Sequence, residues 1–201
     1  MSDVESFVRF CESEFGTEVM DREAAYVKQH IAADDRILNV GCGIGSLEER
    51  FLDYEIIGLD RSEEMIHAAR NRVSASFVLG DATALPIATA SVDTVVFIST
   101  LEFIPDIDAV LAEATRVLDS DGTLVALVLN TRSEYVQSNL QREGSYFQRM
   151  AHRDSEALAE KILEYVGGEQ EFFLGISDET VFESSDPTAA AISAVVGTPL
   201  D

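Results

Sequence analysis

Val4, Phe7, Val8, Cys11 and Phe15 recur at helical spacing as far as Gly16, and Met20, Ala24, Val27 and Ile31 repeat the pattern after Thr17. The chain is therefore predicted to open with two helices. From Arg36 the period changes. Short apolar runs at 36–40, 55–59, 76–79, 93–98 and 123–129 fit buried strands, and amphipathic stretches at 46–52, 62–72 and 106–118 fall between them. Alternation of this kind predicts a parallel sheet with helices on both faces. A further helix is predicted near 154–166. The apolar runs 171–174 and 190–196, joined by a Ser/Asp/Pro-rich turn, read as a closing hairpin.

The length of 201 residues and a 46% hydrophobic content fit one domain with a sizeable core. We divide it into a helical lead-in (1–33), a central core (34–130) and a later segment holding the last helix and the hairpin (131–201). No run reaches the ~20 apolar residues of a membrane span, and the start, Met1-Ser2-Asp3-Val4-Glu5, is acidic where a secretory leader is basic. A cytoplasmic protein with no membrane partner is expected. Cys11 and Cys42 lack CxxC spacing, and His30, His67 and His152 stand apart, so no metal site is indicated. Charge is the unusual feature. Acidic residues number 37 against 14 basic ones, for a net charge of −23, and Lys28 and Lys161 are the only lysines. The acids are dispersed along the chain, which favours a solvated acidic coat suited to high salt, a halophilic trait, over a docking surface for a cationic partner.

The first predicted strand ends in Gly41-Cys42-Gly43-Ile44-Gly45, and Ser46 follows as a ready helix cap. Glycines here permit positive φ and close approach of a ligand to backbone, with the helix N-terminus aimed at the same place. Asp60 ends the second strand nineteen residues beyond Gly41, where a carboxylate accepts both hydroxyls of a ribose seated on the loop. Its other reading is an acid capping the helix after Ser62. Gly80-Asp81-Ala82 follows the third strand. Asp81 can take an adenine amino group while the Ala82 N–H reaches a ring nitrogen, or it can serve as a turn acid.

Taken together with Ile57-Gly58-Leu59-Asp60, the stretch from Gly80 to Pro86, Ser91-Val92-Asp93-Thr94-Val95-Val96 and Arg116 to Leu124, these motifs resemble the class I S-adenosylmethionine-dependent methyltransferases, in particular the type 11 branch. The resemblance covers roughly residues 36–130. It implies an α/β fold, a Rossmann-like three-layer sandwich whose seven-stranded, mostly parallel sheet has an antiparallel last strand. It also implies a cofactor, S-adenosylmethionine, released as S-adenosylhomocysteine. Carried over by position, Asn39, Gly41, Cys42, Gly43 and Gly45 form the cofactor loop, Asp60 holds the ribose, Asp81 and Ala82 hold adenine, Leu59 and Arg61 flank its ring, and Ser99 lies beside the sulfonium. Two residues depart from the family pattern: Asn39 stands where an acid is usual, and Phe103 where many members carry histidine.

The implied activity is methyl transfer to a small molecule. In-line displacement at a sulfonium methyl gains most from holding the reacting atoms collinear, so a base is optional. Where a proton must leave, the candidates are Tyr146, His152 and Glu102, with the acceptor expected near 131–153. Phe15, Tyr26, Tyr146 and Phe147 either roof an apolar pocket or pack the core. A nicotinamide-dependent enzyme is disfavoured because the loop reads GxGxG and not GxGxxG. The lack of a basic, aromatic-interleaved patch speaks against nucleic acid. The alternative to an enzyme is a non-catalytic S-adenosylmethionine-binding sensor or accessory protein.

Overall fold

A computed structural model describes residues 3–200; Met1, Ser2 and Asp201, which fall within the divisions 1–33 and 131–201, lie outside the described residues. Five strands, β1 (Arg36–Val40), β2 (Glu55–Asp60), β3 (Ser76–Leu79), β4 (Val92–Ile98) and β5 (Leu118–Leu129), pair in parallel in the order β3-β2-β1-β4-β5. The chain runs outward from β1 to β3, then returns to the far side of β1 with β4. That reversal opens a crevice at the carboxyl ends of β1 and β4, the place where such sheets bind ligands. Val40 lies opposite Leu59 on one side and Phe97 on the other, so β1, β2 and β4 finish nearly level there.

Neighbouring residues along a strand face opposite sides, and each side here has its own core. Leu38, Val95, Phe97 and Leu124 pack under α5 (Ile107–Val117) and α7 (Ser155–Leu163), against Val110, Leu111, Ala114 and Ile162. Ile37, Val96 and Val125 pack on the other side with Val27 of α2 (Glu14–Lys28), Leu47 of α3 (Ser46–Arg50) and Val136 of α6 (Glu134–Gln141). Two helices complete the set: α1 (Asp3–Glu12) ahead of α2, and α4 (Glu63–Arg72) between β2 and β3. Double-sided burial is why the strands read as continuous apolar runs. No helix among the described residues is long and apolar enough to cross a membrane.

The antiparallel last strand is present, and the sheet has eight strands where seven were expected. β6 (Val166–Ser177) and β8 (Ala190–Pro199) form the hairpin, with β8 inserted antiparallel between β5 and β6. The extra strand is β7 (Thr180–Phe182), a three-residue pairing on the outer edge of β6. The first two helices divide at Ser13, not at Gly16. The Ser13 hydroxyl accepts the Gly16 N–H at 2.9 Å, and a Cβ on Gly16 would stand 2.0 Å from the Phe10 carbonyl oxygen, so that glycine marks a close crossing inside α2. The helix expected over 46–52 is only five residues long. Gly45, at φ 80°, is its N-cap, and Ser46 is its first helical residue instead of its cap. So short a helix contributes little dipole. The segment 131–153, without a sequence-based element, folds as α6 and a 3₁₀ turn at Tyr146–Arg149.

Candidate functional site

The loop leaving β1 holds Gly41, Gly43 and Gly45 at φ 80°, 54° and 80°. The N–H groups of Gly41 and Cys42 both donate to the Leu59 carbonyl, at 2.7 and 3.0 Å, which pins the loop to the end of β2. A Cβ on Gly41 would lie 2.3 Å from Thr100 Oγ1, and one on Gly43 would lie 3.0 Å from a ring carbon of Phe7. The loop thus threads between the turn after β4 and α1 where side chains have no room.

Asp60 ties the parts together. Its Oδ2 accepts the Gly43 N–H at 3.0 Å and its Oδ1 the Ser62 N–H at 2.8 Å. Each carboxylate oxygen retains an acceptor direction for a ligand hydroxyl. Asp81 accepts the Thr83 N–H and hydroxyl at 2.9 and 2.8 Å, and these bonds, the backbone one first, hold its carboxyl below the usual range. Ser99 leaves β4 at φ 46°, an uncommon conformation for a residue with a side chain, held by its N–H bond to the Leu127 carbonyl at 2.7 Å.

Asn39, Gly41, Gly43, Leu59, Asp60, Arg61, Asp81, Ala82 and Ser99 line one cavity of about 620 Å³, within the range of small-molecule sites. Two residues expected with them do not reach it. Gly45 turns the chain into α3, and Cys42 is buried among Ile66, Ala69, Val73 and Phe77, where desolvation raises its thiol pKa. Among the proton-acceptor candidates, Tyr146 lines the cavity with its ring centroid 4.8 Å from that of Phe103. Glu102 and His152 stand outside its lining. Glu102 Oε1 accepts the Leu129 N–H at 2.9 Å, its carbonyl accepts the N–H groups of Ala151 and His152, and the His152 ring meets the Ile104 carbonyl at 2.9 Å. Phe147 also lines the cavity, whereas Tyr26 stacks on Phe173 at 4.3 Å and Phe15 packs edge-on against Tyr135.

Three buried carboxyls escaped the sequence reading or changed meaning in the structure. Glu48 is fully buried; its Oε1 accepts the Asn39 amide N–H at 2.9 Å and its Oε2 has no partner. Burial pushes it up to about 7, with the Asn39 bond pulling the other way. An acid thus stands behind Asn39, bonded to its amide and outside the cavity lining. Nothing in Leu47-Glu48-Glu49-Arg50 announces this; the room for it comes from Gly58, whose Cβ would stand 2.6 Å from Glu48 Oε1. Glu102 is likewise raised to about 7 by burial, and its Oε2 also lacks a partner. Glu23 lines the cavity while only 7% exposed. A sequence signal for it existed: Glu23 falls three residues after Met20 and four before Val27, on the apolar face of α2.

A family model described as Methyltransferase domain matches residues 38–126. The chain is similar to methyltransferase GfsG of Streptomyces halstedii, 33% identical over 112 residues that make up 51% of this chain and 40% of that protein. It is also similar to the ubiquinone/menaquinone biosynthesis C-methyltransferase UbiE of Dinoroseobacter shibae, 36% identical over 106 residues, or 47% of this chain and 42% of that protein. The chain thus spans less than half the length of these curated relatives. Among solved structures, a SAM-dependent methyltransferase of Thermotoga maritima, described as a possible histamine N-methyltransferase, has a TM-score of 0.82 at 21% identity. The match covers 98% of this chain and 95% of that one, a likeness of fold.

Proposed function

We propose that this protein, whose residues 38–126 match a family model described as Methyltransferase domain, is a class I S-adenosylmethionine-dependent methyltransferase that transfers a methyl group to a small-molecule acceptor. The observation that carries the reading is one continuous cavity. It runs from the glycine loop and Asp60 to a wall of Phe10, Phe103, Tyr135, Tyr146 and Phe147, so the same space has a nucleoside end and an apolar end. The residues fit the cofactor. Gly41 and Gly43 leave a cradle that a Cβ would fill, and Asp60 has acceptor capacity left for two ribose hydroxyls.

In this reading Asp60 holds the ribose, Asp81 and the Ala82 N–H receive the adenine edge, Leu59 and Arg61 flank its ring, and Ser99 stands where β4 delivers the chain to the reacting centre. When bound, S-adenosylmethionine supplies an activated methyl on a sulfonium. The protein's share is alignment: Thr100, Ser99 and Gly41 fix the near side, and the aromatic wall excludes water and sets the acceptor's approach. Tyr146, at the wall, contacts the acceptor. Residues 1–201 act as one methyltransferase domain whose acceptor-side parts are the helical lead-in and the 131–153 segment. The two free, buried thiols Cys11 and Cys42 support a reducing, cytoplasmic setting. The dispersed acidic residues support operation in high salt.

Isothermal titration calorimetry in high-salt buffer with S-adenosylmethionine, S-adenosylhomocysteine and NAD tests this directly. Micromolar binding of the two adenosyl-sulfur ligands and none of NAD is expected, followed by acceptor-dependent release of S-adenosylhomocysteine. Binding of NAD alone would overturn it.

A further inference from the structure

Glu23 presents a carboxyl from the packed face of α2 into the cavity, and among the described residues no hydrogen-bond donor or cation reaches its oxygens. It is more than nine-tenths buried. An acid largely withdrawn from bulk water and without a protein partner is costly, and the cavity it lines has room for one. Burial first, then the charge of Glu102, push Glu23 up to about 8, and only Arg50 pulls the other way. Tyr135 lines the same part of the cavity and feels the Glu23 charge.

A carboxylate or phosphate acceptor would set a second anion against the buried Glu23 carboxyl, and a neutral hydroxyl could donate to it but carries no charge to offset its burial. A nitrogen cation completes the interaction, and aromatic faces such as those of Tyr135 and Phe103 attract it as well. Arg142 and Arg149 line the cavity from the 142–149 segment, Arg149 lying over the Tyr146 ring at 5.2 Å to its centroid.

Resting on the function proposed above, we propose that the methyl acceptor is an amine with an apolar body, that Glu23 pairs with its nitrogen, and that Glu23 takes the proton released on transfer. The bound ammonium first passes a proton to the Glu23 carboxylate, which frees the nitrogen lone pair; that pair forms the new N–C bond as the C–S bond breaks and its electron pair stays on sulfur. The methylated nitrogen leaves as an ammonium, and Glu23 returns the one proton released to solvent. Atoms and charge balance without a further reactant.

The test uses the full chain loaded with S-adenosylhomocysteine, titrated with phenethylamine, hexylamine and spermidine and with 2-phenylethanol and phenylacetate as matched hydroxyl and carboxylate probes. Mass spectrometry then reads methylated product with S-adenosylmethionine. At least one amine is expected to bind and be methylated, while the alcohol and the acid are not. Glu23→Gln, an isostere that removes a buried ionisable group and so is expected to fold, should weaken amine binding at least tenfold with S-adenosylhomocysteine affinity within twofold, and Glu23→Asp should recover part of the loss. Methylation of the alcohol or the acid in preference to every amine overturns the proposal, as does failure of all three amines to bind or amine binding indifferent to Glu23→Gln. A fall in S-adenosylhomocysteine affinity matching the fall for the amine also overturns it, by making Glu23 a cofactor ligand. Failure of the wild type to bind S-adenosylhomocysteine at all refutes the cofactor reading instead, which separates the two.

Discussion

At the nucleoside end the cavity is walled by backbone. Three glycines at positive φ shape a loop that Gly41 and Cys42 pin to Leu59, and a carboxylate, Asp60, is already bonded to the N–H groups of Gly43 and Ser62. At the opposite end it is walled by side chains drawn from distant elements, with Glu23 from α2, Tyr135 from α6 and Leu174 from β6. At the first end Asp60 and Asp81 have hydrogen-bond partners; at the second the buried Glu23 has none among the described residues. A wall of backbone fixes one ligand shape, whereas a wall of side chains can change its ligand by substitution without touching the strands that carry it.

Variants at the two ends should separate cleanly, and the largest effect belongs to the backbone end. Gly41→Val places a branched side chain at φ 80° and into Thr100, so S-adenosylmethionine affinity should fall on the order of 100-fold by calorimetry, with the circular dichroism spectrum retained. Asp60→Ala strands the Gly43 and Ser62 N–H groups as well as removing the ribose acceptor, for a loss of about tenfold or more in the same titration. If either variant instead raised only the acceptor KM, the division into two ends would fail.

Glu48 sharpens the comparison through pH. A carboxyl raised in the folded state from 4.5 to about 7 binds a proton that the unfolded chain has released, so it favours folding at low pH and loses that contribution as pH climbs through this window. Glu102 and Glu23 slope the same way. Glu48→Gln should flatten the decline in chemical-denaturation stability between about pH 5 and 8 by something of order 1–3 kcal/mol. An unchanged slope would mean that Glu48 is solvated. The smallest effect is expected at the rim. Tyr146→Ala, at a half-exposed ring, should raise the acceptor KM a few-fold and leave cofactor affinity and melting temperature nearly unchanged.

The same division explains what could be read from the chain itself. The parallel core was legible because strands buried on both faces are apolar throughout, and the glycine loop because positive φ restricts residue choice at fixed spacing. Asp60 was legible because its place at the end of β2 follows from that loop. Glu23 was not, since one acid in a helix reads as surface charge unless its flanking Met20 and Val27 are weighed with it. Glu48 was less legible still, because its burial depends on a glycine in another strand. The Ser13 break was missed because Gly16 resembles a helix stop, and only the approach of Phe10 shows that its lack of a side chain serves packing. β7 is three residues long and pairs at an edge, too little for a period to register.

The position of β8 bears on how the molecule is made. It is hydrogen-bonded to β5 on one side and to β6 on the other, so β6 and β7 join the sheet only through it. A chain emerging in order from the ribosome presents β5 with an open edge, and β6 with only the three residues of β7 to pair against, until residues 190–199 arrive. The sheet closes like a row of tiles with the central piece laid last. That interval is when the apolar row of β5 is most open to a neighbouring nascent chain, and a dense negative charge is a means of holding such neighbours apart.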